Sequence, residues 1–276
     1  ILYLLGALLV SGCVRDEFDT TRVVEGAAAR ISLKITLPVM GGGTDTRAVS
    51  ADVEKRLDNL FVLVFDGGGK IVTRHRYTAQ TGASLSSLLI DTRSGKGHTL
   101  CFVANVKDGM DSQLMALTSY NALKGLLVTA TELNLGQSTD VPLIMTAIME
   151  NVNVQEGANS ISNPVQLQFL AAKVTLTLVD NTPDTQEVTI IGWDVQDAPT
   201  RSYLFPDDSK DANPNPETAG ADKDEYWLTT GVDYPFEEED KQAGTATQTL
   251  YVFENRRGGH IPRALPADPD EQYSNM

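Results

Sequence analysis

The chain reads as an all-β protein of antiparallel β-sandwich type. Its apolar residues fall into short alternating or uniformly apolar runs of strand length, and Gly, Pro, Asn and Asp turns separate those runs. Only one segment carries a helical period, whereas a parallel α/β sheet needs a helix after nearly every strand.

The near-unbroken apolar run Ile1 to Val10 ends in Val10-Ser11-Gly12-Cys13, the small-residue-then-cysteine order of a bacterial lipoprotein signal. A bilayer span needs about 20 apolar residues, whereas a secretory core needs roughly 7 to 15. Residues 1–13 are therefore expected to be a signal, with Cys13 acylated after cleavage and holding the protein to a membrane. A buried apolar strand is the competing reading. The run has no initiator Met and no basic flank, so the natural start is expected further upstream. Asp16 and Glu17 resemble the acidic mark of surface-exported lipoproteins, and Asp19-Thr20-Thr21 resembles a bacterial O-glycosylation site. Residues 14–30 are expected to be a tether.

Ile31 to Val39 is the first expected strand. Ile31, Leu33, Ile35, Leu37 and Val39 alternate with Ser32, Lys34 and Thr36, the period of a half-buried strand. The segment Gly41-Gly42-Gly43-Thr44-Asp45-Thr46-Arg47 is expected to be a mobile loop. Leu57 to Phe65 is apolar on both faces in its second half, which suits a central strand, and Asp66-Gly67-Gly68-Gly69 turns it into a hairpin partner at Lys70 to Tyr77. Leu85 to Ile90 and Thr99 to Val106 follow as strands. Ala116, Tyr120, Leu123 and Leu127 recur at helical spacing, which predicts a helix over Asp111 to Leu127 capped by Asp111 or Ser112.

Val165 to Val179 is the longest alternation. Its apolar positions shift from odd (Val165, Leu167, Phe169) to even (Leu170, Ala172, Val174, Leu176, Leu178), so a bulge or a crossing between sheets is expected. Asn181-Thr182-Pro183-Asp184 marks a candidate boundary. Strands resume at Val188 to Val195 and Gln248 to Phe253, around a solvated loop at 207–240. The part from 186 to 276 is too short for a complete sandwich, so a C-terminal remainder is expected.

Composition narrows the function classes. The 276 residues are 41% hydrophobic, enough for sizeable cores. A formal charge of −15 argues against nucleic acid, which requires clustered Lys and Arg. With Cys13 acylated, Cys101 in Leu100-Cys101-Phe102-Val103 has no disulfide partner and is expected to be a buried small hydrophobe. His75, His98 and His260 sit in no catalytic context.

Asp211, Asn213, Asn215 and Glu217 alternate like a calcium loop, but Pro216 holds the sixth place and Asp222 the twelfth, where Gly and a bidentate acid are needed. Glu237-Glu238-Glu239-Asp240 reads as a charged loop. The glycine triplets lack phosphate-loop spacing. No metal, cofactor or enzymatic chemistry is therefore expected.

Several segments in one order resemble the fimbrillin superfamily of Bacteroidales, the subunits and accessory proteins of protease-assembled type V pili. They are the signal at Val10 to Cys13, Leu60-Phe61-Val62-Leu63-Val64-Phe65-Asp66, Phe102-Val103-Ala104-Asn105, and Leu170-Ala171-Ala172-Lys173-Val174. Ser202-Tyr203-Leu204-Phe205-Pro206 and Tyr251-Val252-Phe253-Glu254-Asn255-Arg256-Arg257-Gly258 complete the set.

The resemblance implies tandem transthyretin-like β-sandwich domains, at 31–180 and from 186 to 276, the second incomplete. It also implies an outer-membrane, cell-surface location in a fimbrium, with other pilus subunits as partners and a possible host or bacterial surface ligand. Subunits of such pili join by strand donation after an arginine-specific protease removes the first strand. Residues 31–39 are then the candidate exchanged strand and Arg47 the candidate cut, against the alternative of an ordinary loop arginine. A surface glycan-binding lipoprotein with an aromatic platform around Trp193, Tyr226 or Trp227 is the second reading. A β-sandwich hydrolase is the third, for which no paired acids are evident.

Overall fold

A computed structural model describes residues 25–38, 56–78, 87–129, 142–179, 192–195, 201–205, 232–235, 241–242 and 245–253. Its first strands are β1 (Ala28–Leu33), β2 (Ile35–Thr36), β3 (Asn59–Phe65), β4 (Ile71–Thr78), β5 (Leu88–Arg93) and β6 (Gly95–Ala104). Helices α1 (Asp108–Ala116) and α2 (Tyr120–Lys124) follow. Next come β7 (Leu127–Thr129), β8 (Met145–Val154), β9 (Gly157–Ser160), β10 (Val165–Gln166), β11 (Gln168–Phe169) and β12 (Ala171–Val179). The remaining strands are β13 (Gly192–Val195), β14 (Arg201–Tyr203), β15 (Val232–Pro235), β16 (Lys241–Gln242) and β17 (Thr245–Phe253).

The centre is a five-stranded sheet in the order β11-β8-β6-β3-β4. Every side chain of β3 from Leu60 to Phe65 is fully buried, because the strand is apolar at both its odd and its even positions. Phe61, Leu63 and Phe65 join Cys101 and Val103 in one core, which α1 and α2 cover with Met110, Leu114 and Leu123. Leu60, Val62 and Val64 join Leu100, Phe102 and Ala104 in a second core, covered by β1, β2 and β5. The covering sheet runs β5-β1-β9, and β2 continues beside β10.

Several expected elements shift. The first strand starts at Ala28, three residues early, because Ala29 keeps the alternation in phase and is buried despite its small size. It is interrupted at Lys34 and resumes as β2. The strand expected at Leu85 to Ile90 lies at Leu88–Arg93, since polar Asp91 and Arg93 occupy the outward positions of the same alternation. The sixth strand begins at Gly95 rather than Thr99 and ends at Ala104.

The single helix expected over 111–127 is two short helices, with 127–129 in a strand. The backbone between them is spent on the β3–β4 hairpin. Ile71 N donates to Thr118 O (3.2 Å), Tyr120 N donates to Gly69 O (2.8 Å), and Ser119 Oγ caps α2 by accepting from Ala122 N (3.2 Å). The expected caps Asp111 and Ser112 instead lie inside α1, where Asp111 pairs with Arg76 of β4 at 2.7 Å.

The phase shift in 165–179 is a crossing between sheets. β10 pairs with β2, β11 with β8, and β12 with β17. Val165 and Leu167 enter the β1 core, whereas Leu170 and Ala171 enter the helix-side core. Past the crossing, the even positions are not uniformly buried, and Val174 is 42% exposed. β12 pairs with β17 and β14 with β7, so ladders connect residues on either side of the expected 180–186 boundary.

Asn105 ties three segments together at one end of the central sheet. Its Nδ2 donates to Arg56 O (3.0 Å) and Leu143 O (2.9 Å), and its Oδ1 accepts from Asp58 N (2.9 Å). Its backbone is left-handed, with φ of 61°. Asn105→Gly, which keeps that conformation but removes the side chain, is expected to cost about 2–4 kcal/mol by denaturant unfolding, since buried carbonyls lose their donors. Asn105→Ala is expected to cost about 1 kcal/mol more, the strain of a left-handed Cβ.

Candidate strand-exchange groove

The candidate exchanged strand is seated with a wall on each side. β1 pairs antiparallel with β5 from Ala28 opposite Arg93 to Leu33 opposite Leu88. On its other side it pairs parallel with β9, from Ala29 opposite Gly157 to Ser32 opposite Ser160. The parallel ladder continues past Lys34. Ile161 N donates to Ser32 O (2.9 Å), Val165 N to Lys34 O (2.8 Å) and Leu167 N to Thr36 O (3.0 Å).

The inward row is Ala29, Ile31, Leu33 and Ile35, each no more than 7% exposed, packed over Leu60, Val62 and Val64 of β3. Leu37 is half-buried against the same core. Val39, Arg47 and Cys13 lie outside the described residues, as do Tyr226, Trp227 and the acidic loop at 211–222. Each buried Ile or Leu contributes about 1.5–3 kcal/mol. For Ile31, Leu33 and Ile35 together that is about 5–9 kcal/mol, comparable with a whole domain's net stability. An empty groove would thus expose both an apolar trough and two unpaired edges.

A polar clasp fixes the chain just before β1. Gly26 N donates to Ser94 O (2.8 Å), Ser94 N donates to Ala27 O (2.8 Å), and Ala27 N donates to Ser94 Oγ (2.9 Å). Glu25 Oε1 accepts from Lys96 N at 3.2 Å. Gly26 has φ of 78°, a conformation natural to glycine.

Outward-facing Arg30 forms a fork with Asp91 directly across the ladder, Nε to Oδ1 at 2.5 Å and Nη2 to Oδ2 at 3.2 Å. Hydrogen bonding to that guanidinium holds the Asp91 carboxyl below its ordinary range.

Side chains of β4 stitch β5 to the central sheet. Tyr77 Oη donates to Leu89 O (2.6 Å), and His75 Nε2 lies 2.7 Å from Asp91 O. Burial, with help from Asp91, pushes the Tyr77 phenol up to about 12.

Of the other sequence candidates, Cys101, His75 and His98 lie among the described residues, whereas His260 and Glu237 to Asp240 lie outside them. Cys101 is buried in the helix-side core, and burial drives its thiol far above the ordinary range. Among the described residues, no cluster of three or more His, Cys, Asp and Glu could hold a metal ion. Nor is any helix among them long and apolar enough to cross a membrane. Sequence reasoning missed Asp91 and the walls at β5 and β9. The available signal was the alternation Leu88, Ile90, Thr92, Ser94, which places Asp91 on an outward row.

The model of the major fimbrial subunit protein (FimA) family matches residues 29–199. A curated relative from Parabacteroides distasonis, named as the fimbrium tip subunit Fim1C, is 26% identical over 221 residues. That alignment covers 73% of this chain and 57% of the relative, so the chain spans little more than half of that protein's length.

Among solved structures, the tip fimbrial protein Mfa3 of Porphyromonas gingivalis superposes with a TM-score of 0.52 at 15% identity, over 81% of this chain and 68% of that one. A structure described as a cell adhesion protein of Parabacteroides distasonis gives 0.54 at 20% identity, over 84% and 71%. Both share the fold.

Ile31→Ala is expected to destabilise the protein by about 2–5 kcal/mol in denaturant unfolding, while Ser32→Ala on the outward row changes it by less than about 0.5 kcal/mol. Because the folded Tyr77 keeps its proton to higher pH than the unfolded chain, its contribution is complete below pH 10 and is lost toward about 12. Tyr77→Phe is expected to show a shallower loss of melting temperature across that window than wild type.

Proposed function

Because the chain belongs to the major fimbrial subunit protein (FimA) family, we propose that it is a subunit of a cell-surface fimbrium, joined to other pilus subunits by exchange of its first strand. The role is structural rather than catalytic. Residues 28–37, with Ile31, Leu33, Ile35 and Leu37 on the inward row and Val39 following, are the exchanged element. The observation that carries this reading is the seat itself. β1 lies between an antiparallel wall and a parallel wall over the apolar face of the central sheet, and its continuation β2 keeps the parallel side. A strand of matching alternation supplied by another subunit would restore both the ladders and the burial.

The proposal extends to the ends of that strand. Cys13 carries the lipid that tethers the precursor to the outer membrane, and an arginine-specific cut at Arg47 frees the strand together with its tether. Asn105 holds Arg56 and Asp58, so the chain beyond such a cut stays fixed to the central sheet. A tip position is supported by the name of the Parabacteroides distasonis relative, and a role in adhesion is part of the same proposal.

Two sandwich units in tandem are part of the same reading. In its support, β12 repeats the order of β1: Ala29-Arg30-Ile31-Ser32-Leu33 is matched by Ala172-Lys173-Val174-Thr175-Leu176. On this view the expected boundary at 180–186 moves back to the crossing near Leu170, and β12 opens the second unit as β1 opens the first. The glycan-binding alternative has no comparable support.

Treatment with an arginine-specific protease is expected to give one early cut, at Arg47, followed by a ladder of oligomers on gels run without heating. Arg47→Ala should remain uncut and monomeric. A chain cut at Arg47 that stays monomeric, or a resistant monomer retained on a polysaccharide column, would count against strand exchange. Cys13→Ala is expected to move the expressed protein from the membrane fraction to the soluble one.

A further inference from the structure

An alternating strand can slip by two residues in its groove without turning a single side chain to the wrong face. The groove described above therefore needs something besides its apolar floor to set the register of its occupant. The outward row of β5 supplies it. Leu89, Asp91 and Arg93 stand there in order, opposite Ser32, Arg30 and Ala28.

We infer that Asp91 fixes the register of the strand seated between β5 and β9, and that the groove selects a strand with a basic residue at that one outward position. The inward residue just before it must be small, and the next three inward residues large. This rests on the strand-exchange reading and specifies which strand the groove accepts.

The two neighbouring registers show why. Sliding the strand so that residue 32 faces Asp91 brings Arg30 opposite Arg93, two like charges across one ladder. The same slide drives Ile31 into the place of Ala29, between Thr92 and Gly157. That place is already filled by a residue 7% exposed, so it is overpacked. Sliding the other way places Arg30 over Leu89, which is 50% exposed and offers no charge, and leaves Asp91 facing Ala28. It also sets Ala29 opposite Ile90, where Ile31 belongs, opening a void.

Only the observed register gives the guanidinium its two-point partner. The pair is open to solvent, with side chains 58% and 65% exposed, so its part is to choose among registers and partners rather than to supply the bulk of the affinity. The repulsive Arg93 and the neutral Leu89 on either side make the choice two-sided.

The full chain carrying a site-specific protease sequence between residues 39 and 46, in a Cys13→Ser background, supplies the test. After nicking, a fluorescent synthetic peptide of residues 25–38 is offered in excess and its dissociation is followed. The Arg30→Glu peptide is expected to leave the native groove about three- to tenfold faster than the unaltered peptide. On Asp91→Arg the order of the two peptides should reverse.

Register is read directly by disulfide trapping. A peptide with Ser32→Cys should cross-link to Leu89→Cys, and adding Arg30→Glu to that peptide should weaken the cross-link. Should Asp91→Arg fail to fold by circular dichroism, the Arg30→Ala and Arg30→Glu peptides on the native groove decide alone. Equal dissociation with unchanged trapping overturns the register role of Asp91 and leaves strand exchange intact. Failure of every peptide to enter overturns strand exchange, and this inference with it.

Discussion

The structure depends on one constraint: β3 is apolar on both faces, so the central sheet must be covered twice. A strand with Leu60, Val62 and Val64 on one side and Phe61, Leu63 and Phe65 on the other cannot leave either face to water. The two covers differ in kind. On one side, helices and segments from several parts of the chain converge, including Val128, Leu204, Phe205, Tyr251 and Phe253. On the other, the cover is a narrow sheet whose middle member is the first described strand. Much of that second core's closure is thereby placed in a single segment near the start of the chain.

That arrangement is unusual in its hydrogen bonding as well. Most ladders among the described residues are antiparallel, but β1 meets β9 and its continuation β2 meets β10 in parallel. Parallel neighbours cannot be joined by a tight turn. The link between β1 and its parallel wall is therefore tertiary, made by side-chain burial and by the donors at Ile161, Val165 and Leu167. A segment held by such contacts, with no hairpin to either wall, is the kind of element that an equivalent strand from another chain can replace.

The opposite edge of β5 is managed differently. Tyr77 and His75 reach across from β4 to the carbonyls of Leu89 and Asp91, so side chains satisfy backbone groups that another strand would otherwise seek. Two features therefore act together on β5. Its inner edge reads the seated strand through Asp91, while its outer edge is closed by phenol and imidazole. Under the proposed exchange the consequence is directional, with strand addition favoured at the seat of β1 and discouraged beside it.

Period and composition alone determined the all-β class, the two-faced burial of β3, the hairpin at Asp66 and the alternating first strand, because each follows from side-chain spacing within a few residues. The same spacing revealed that something happens near Leu170. Only the tertiary structure decided that it is a crossing between three ladders, since a phase shift looks alike whether a bulge or a change of partner causes it. The split of the expected helix had the same origin, because Thr118 O and Tyr120 N are spent on Ile71 N and Gly69 O of a hairpin far earlier in the chain, beyond any local window. Likewise Asp91 was legible as an outward polar residue, but its role required knowing that Arg30 lies opposite and Arg93 two places along. Local periodicity records which face a residue shows, and only pairing across the chain records what it faces.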